Sequence, residues 1–282
     1  MTELRTVTAG IGLGESPRWH DGRLWLADWG AREVLAVSPS GKSEVVARMP
    51  SMPFSLDSLP DGRLVIVSAR DGQLLRRQAD GSLVTHADLK AASDPPAVNE
   101  LVVDARGNAY VNGGGFDLIA GEPFAPGIVA LVRPDGSTRQ VADGLAFPNG
   151  MLIMPDDRTL IVAESYAKRM TAFDIDADGG LSNRRVWAEL GEGVPDGICA
   201  DAENAVWYAD VPNQRCVRVR EGGEVLQTIE LDRACFACAL GGPDGATLFL
   251  VANEWRGPTN MLHGRDTQVL MARAPAPRAG RP

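Results

Sequence analysis

The chain has 282 residues, 44% of them apolar, with 31 Gly and 19 Pro and a formal net charge of −9. That balance argues against a nucleic-acid partner, whose phosphates call for a basic face. No apolar run reaches the roughly 18 residues of a membrane-spanning helix. The first ten residues, MTELRTVTAG, lack the apolar stretch of a secretory leader. The four cysteines (Cys199, Cys216, Cys235 and Cys238) have no disulfide-like spacing. Both features predict a cytoplasmic protein with reduced, buried thiols.

In chain order, one pattern returns six times: a short apolar run, a Gly/Asp/Asn turn, and a second apolar run. The turns end at Gly22, Gly62, Gly107, Asp157, Asn204 and Gly245, spaced by 40, 45, 50, 47 and 41 residues. Two β-rich runs across such a turn read as a hairpin. A third and a fourth run follow in most units, as at 33–38 and 44–47 or 170–175 and 185–189. Four short strands per unit of about 45 residues mark a propeller blade. The prediction is all-β: one six-bladed β-propeller domain over 1–282, with four antiparallel strands per blade. The segment 5–9 closes the ring by pairing outside 268–272, and the Pro/Ala-rich 275–282 is expected to be a loose tail. Residues 112–127 form a longer link and are expected to cover one end of the ring.

Counting back from each turn locates the head of the innermost strand: Glu15, Phe54, Asn99, Asn149, Asp196 and Ala237. Four of the six are polar, where a propeller is most crowded. Buried carboxylates without a partner are costly, so the set predicts a central metal site. Two carboxylates and two amide oxygens suit a hard divalent ion such as Ca²⁺, Mg²⁺ or Mn²⁺. The chain has three histidines, none at a strand head, so a typical zinc site is not expected. Trp19, Trp25, Trp187 and Trp207 fall within strand runs and are expected in blade cores.

The motifs GESPRW around Glu15, VNE around Asn99, FPNGM around Asn149 and VPDGI around Asp196 resemble those of the gluconolactonase, regucalcin and luciferin-regenerating-enzyme family. The resemblance covers essentially the whole chain. It implies a six-bladed propeller with one divalent ion in its central tunnel, Ca²⁺ first, with Mg²⁺, Mn²⁺, Zn²⁺ or Fe²⁺ as alternatives. By the same resemblance Glu15, Asn149 and Asp196 are metal ligands. Asn99 either binds the metal or holds substrate and water beside it. The implied activity is hydrolysis of a small-molecule lactone. The family's Arg-x-Asn-Asp is here Ala97-Val98-Asn99-Glu100, a departure that puts a sugar-acid lactone in doubt.

In such a reaction the ion polarises the lactone carbonyl and lowers the pKa of a bound water. Asp196 is the expected base, with Glu100 or Glu164 as substitutes, and Glu15 is assigned to catalysis as a ligand. Asn99, Glu100, Asn112, Phe116 and Tyr166 are expected to meet the substrate. The many aromatics at this end suggest a lactone less polar than a sugar's. The competing readings are an organophosphate or other ester hydrolase on the same metal, and a non-catalytic calcium-binding propeller. A monomer or weak dimer, with neither membrane nor nucleic acid as partner, completes the expectation.

Overall fold

A computed structural model describes residues 3–93, 98–118, 120–257 and 260–281. After β1 (Arg5–Ile11), the first complete blade is β2 (Gly14–His20), β3 (Arg23–Asp28), β4 (Glu33–Val37) and β5 (Ser43–Arg48). The second is β6 (Pro53–Ser58), β7 (Leu64–Ser68), β8 (Gln73–Arg77) and β9 (Leu83–Asp88). The third is β10 (Leu101–Val103), β11 (Ala109–Gly113), β12 (Gly127–Val132) and β13 (Thr138–Leu145). The fourth is β14 (Pro148–Ile153), β15 (Thr159–Glu164), β16 (Arg169–Ile175) and β17 (Leu181–Glu189). The fifth is β18 (Pro195–Ala200), β19 (Val206–Asp210), β20 (Arg215–Val219) and β21 (Val225–Glu230). The sixth is β22 (Ala234–Gly241), β23 (Thr247–Asn253) and β24 (Thr267–Arg273), completed by β1.

Each blade is a four-stranded antiparallel sheet, so the expected six-bladed propeller is the observed one. The ring closes as predicted: β1 pairs with β24, Thr6 opposite Leu270 and Ala9 opposite Gln268. The innermost strands β2, β6, β10, β14, β18 and β22 pack in sequence around the axis, and β22 returns to β2.

The period-2 alternation of the strands builds the core between blades rather than within them. In β3, Trp25 and Ala27 face blade two, joining Leu56 and Ile66, whereas Leu24 and Leu26 face blade six, joining Phe249 and Val269. Four further clusters fill the remaining gaps between neighbours. Both faces of the middle strands are therefore apolar, as in β15, where Leu160 to Ala163 are all buried. The outermost strands β5, β9, β17 and β21 are exposed or half-buried over most of their length, with one or two buried residues near the end of each. Trp25, Trp187 and Trp207 lie in these cores. Trp19 is half-buried at the rim and stacks on Phe249 with centroids 5.4 Å apart. The β2–β3 turn has both central residues left-handed, Asp21 at φ 49° and Gly22 at φ 69°, the geometry that matches strand twist in a two-residue hairpin.

The C-terminal tail differs from expectation. Its backbone is tied across the end of the ring where strands one and two of each blade turn. Ala202 N donates to Pro277 O at 2.8 Å, Ala279 N to Ala200 O at 3.1 Å, and Arg281 N to Ile153 O at 2.8 Å. A Pro/Ala composition suggests a loose end, but an extended segment with small side chains also fits flat against blade edges and supplies hydrogen-bond partners there. Ala274 and Ala276 are buried.

Candidate active site

All six inner strands run in one direction, so their heads meet at one end of the axis. The loops joining strands two and three of each blade lie at that same end. In five blades the inner strand is bulged at its head: between Glu15 and Arg18, Pro53 and Leu56, Pro148 and Met151, Pro195 and Ile198, and Cys235 and Ala237. A bulge sets two residues against one and re-aims a side chain out of the pleat. The re-aimed positions are Glu15, Phe54, Asn149 and Asp196, and Asn99 takes the matching place before Leu101, its N–H bonded to Asn112 O at 2.8 Å. In blade six the matching residue is Cys235, not Ala237 as counted from the turn. The pair Ala234–Asn253 corresponds to Pro148–Glu164, and the β22–β23 hairpin runs on to Gly241–Thr247. Counting from the turn therefore overshoots.

In blades four and five the residue after the head is glycine, where neighbouring inner strands touch. A Cβ on Gly150 would lie 2.4 Å from Asp196 O, and one on Gly197 would lie 2.7 Å from Ala237 Cα. Asn149-Gly150 and Asp196-Gly197 resemble turn dipeptides, yet the glycines serve close packing of inner strands around the axis.

Three carboxylates converge here. Glu15 is 8% exposed. Burial, then the charge of Asp196, then that of Glu100, push its carboxyl well above the usual range, against the Ser16 N–H and Arg18. Burial and Glu100 likewise push Asp196 up. Glu100 is held in the wall: its carboxylate accepts from Arg18 Nη2 and Leu101 N, both at 2.9 Å, from Ser16 Oγ at 3.0 Å, and from Ser55 Oγ. Arg18, a buried cation beside the site, is thus committed to Glu100. The charge of Asp196 bears on Glu15, and among the described residues no cation forms an ion pair with either.

The asparagines present a consistent orientation. Asn99 Nδ2 donates to Pro148 O at 3.1 Å, and Asn149 Nδ2 to Ser165 Oγ at 3.4 Å. Each spends its N–H group on a neighbour and turns its Oδ1 the other way. With two carboxylates, these oxygens form a donor set that fits a hard divalent cation. Among the described residues, no group of three or more His, Cys, Asp or Glu side chains is arranged to hold a metal ion; the oxygen set has only two carboxylates. Asn112 is fully buried behind the heads. Its Oδ1 accepts from Glu100 N at 3.1 Å, and its Nδ2 donates to Asn149 O at 2.5 Å.

A second repeated feature escaped the sequence reading. The last residue of strand two in three blades is a buried acid: Asp28, Glu164 and Asp210. Each accepts from a backbone N–H two or three residues ahead of a strand head. Gly12 N donates to Asp28 at 3.0 Å, Ala146 N to Glu164 at 2.7 Å, and Val194 N to Asp210 at 3.2 Å. These latches precede Glu15, Asn149 and Asp196. The matching strand ends, LAD, VAE and YAD, carried the signal. Glu164 also accepts from Thr171 Oγ1 at 2.5 Å and Arg169 Nε at 3.0 Å. Burial raises its pKa, but these bonds outweigh it and hold the carboxyl below its ordinary value. Its oxygens are occupied, so it is no free base.

Phe116 and Tyr166 come together at the same end, 6.0 Å between centroids, with Phe147 and Phe124 beside them. Phe147 has φ 58°, which costs a bulky residue about 1–3 kcal/mol. The backbone enforces it: Phe147 N donates to Leu145 O and Ser165 N to Phe147 O, both at 3.1 Å. Ala97 lies outside the described residues.

The model of the SMP-30/Gluconolactonase/LRE-like region matches residues 13–254. Regucalcin of Danio rerio is 31% identical over 290 aligned positions, covering 95% of this chain and 88% of its own. Pentonolactonase XacC of Haloferax volcanii is 25% identical, covering 89% of this chain and 84% of its own. A solved structure of the calcium-binding protein regucalcin from Agrobacterium tumefaciens superposes with a TM-score of 0.78 at 23% identity, covering all of this chain and 98% of its own. The six strand heads, the bulges that aim them and the match from 13 to 254 lead to one assignment: the chain belongs to the SMP-30/gluconolactonase/LRE-like family.

Proposed function

We propose that this protein is a divalent-metal-dependent hydrolase that opens a small-molecule lactone, with Ca²⁺ as the first candidate ion. One observation carries the reading: the carboxylates of Glu15 and Asp196 converge at the strand heads, raised by burial and by neighbouring carboxylates, while the nearby Arg18 bonds to Glu100. A bound cation removes that penalty. The family membership, with a pentonolactonase and regucalcins among the relatives, supports lactone chemistry.

In this reading Glu15, Asn149 and Asp196 hold the ion, and Asn99 holds it or the substrate beside it. A divalent cation supplies polarisation of a carbonyl oxygen and acidification of a bound water. Asp196 serves as proton acceptor. It is half-buried, and among the described residues no side chain donates a hydrogen bond to it. Glu100, with both oxygens engaged, fixes the wall rather than exchanging protons. The test is hydrolysis of a lactone panel by chelator-stripped protein. Turnover should vanish on stripping and return with Ca²⁺ or Mn²⁺. Unchanged turnover after complete stripping would remove the metal from the reaction. Turnover of phosphotriesters alone would favour the rival ester chemistry.

A further inference from the structure

Three of the exposed large apolar side chains among the described residues are aromatic: Phe124, Tyr166 and Trp255. All three belong to strand-two-to-three loops at the end of the axis where Glu15 and Asp196 lie. The other four are valines on the outermost strands β5, β9, β17 and β21, where β-branched residues serve the sheet. The exposed rings lie instead in loops, outside any sheet.

They are also arranged. Phe116 packs against Phe124 at 5.6 Å and Phe147 at 5.5 Å, and Tyr166 packs against Phe124 at 5.6 Å and Phe147 at 4.8 Å. The four rings make one continuous wall built from the β11–β12 loop, the residue before β14 and the β15–β16 turn. Phe147 is held in its left-handed conformation two residues before Asn149, so the wall is fixed to a strand head. Across the mouth, Trp29 packs edge-on to Phe54 at 4.5 Å and Phe236 lies 5.8 Å from Trp255.

Several polar groups behind the wall are already used, and the oxygens left at the strand heads are the ones assigned to the cation. Both amide atoms of Asn112 and both oxygens of Glu100 are bonded within the wall, and Ser165 Oγ donates to Pro195 O at 2.7 Å. A polyhydroxylated ring entering this mouth would lose water contacts against aromatic faces and find few replacements. An alkyl or aryl substituent would gain by burying its surface there.

We propose, resting on the lactonase reading above, that the substrate is a lactone carrying an apolar alkyl or aryl substituent, which the wall of Phe116, Phe124, Phe147 and Tyr166 binds while the lactone ring reaches the strand heads. The reaction is unchanged: water adds to the carbonyl, the ring C–O bond breaks, and a hydroxy acid with the same apolar substituent leaves.

The test uses Ca²⁺- or Mn²⁺-loaded protein and a series of γ-lactones whose side chain grows from methyl to heptyl, with glucono-δ-lactone alongside. Across the series kcat/KM should rise by about two- to fourfold per methylene until the wall is filled. Phe116→Ala and Tyr166→Ala, both at loop positions, should each flatten that slope. A flat series in the wild-type protein, or glucono-δ-lactone as the better substrate, overturns this proposal and leaves the lactonase reading standing. Slopes unchanged in both variants overturn the role of the wall. Absence of turnover across the entire panel overturns the lactonase reading itself, and this proposal with it.

Discussion

At Gly197 a methyl group would lie 2.7 Å from both Cα and Cβ of Ala237, an approach that nothing flexible relieves. The backbone of β22 would have to move, and with it the spacing of the heads around the axis. Gly197→Ala is therefore expected to destabilise the protein by about 1–3 kcal/mol, as overpacking does, readable as a lower urea midpoint with the slope retained. An unchanged midpoint would mean that the inner strands are not packed this tightly. The same dipeptide type that makes a turn at Asp21-Gly22 marks a crowded strand at Asp196-Gly197. Glu15 was legible because a single acid headed an apolar run. Its environment was not, because the bonds that Arg18 and Ser16 of blade one and Ser55 of blade two donate to Glu100 of blade three join residues far apart in the chain.

Strands are the level at which the sequence spoke most clearly. Six hairpins of apolar runs joined by repeating turns are enough to infer blades, and β1 beside β24 follows from the need to close the ring. Register was less accessible. The longer β22–β23 hairpin displaced the sixth head from Cys235 to Ala237 in a count made from the turn. The latches at the ends of β3, β15 and β19 were written in the sequence as repeated acids, but their partners are backbone N–H groups that no side-chain pattern reveals. Glu164 offers a direct test of a latch. Its folded-state pKa lies below its ordinary value of 4.5, so ionisation stabilises the fold. That contribution is complete above the unfolded-state value and is lost as pH falls through the lowered folded-state value. Glu164→Gln should cost about 1.5–3 kcal/mol at neutral pH, the range for hydrogen bonds to a charged group. The gap from wild type should close in acid. A pH-independent gap would show that packing, not charge, is what the variant removes.

On the scale of the whole molecule, the ring divides its labour between two ends. The tail of residues 276–281 fastens blades four, five and six at one end through backbone bonds to Ile153, Ala200 and Gly245. The other end holds the bulged heads, the latches and the aromatic mouth. Rigid interblade cores hold the heads in fixed relation, so two carboxylates are kept together at an electrostatic cost that a cation would relieve. The most direct check is calorimetric titration of Ca²⁺ into metal-free wild-type protein and into Glu15→Gln. The wild type is expected to bind one equivalent, and Glu15→Gln to bind it at least about tenfold more weakly, a loss of roughly 1.4 kcal/mol or more. Equal affinity in the two proteins, or no binding of Ca²⁺, Mg²⁺ or Mn²⁺ by the wild type, would contradict a cation site at the strand heads.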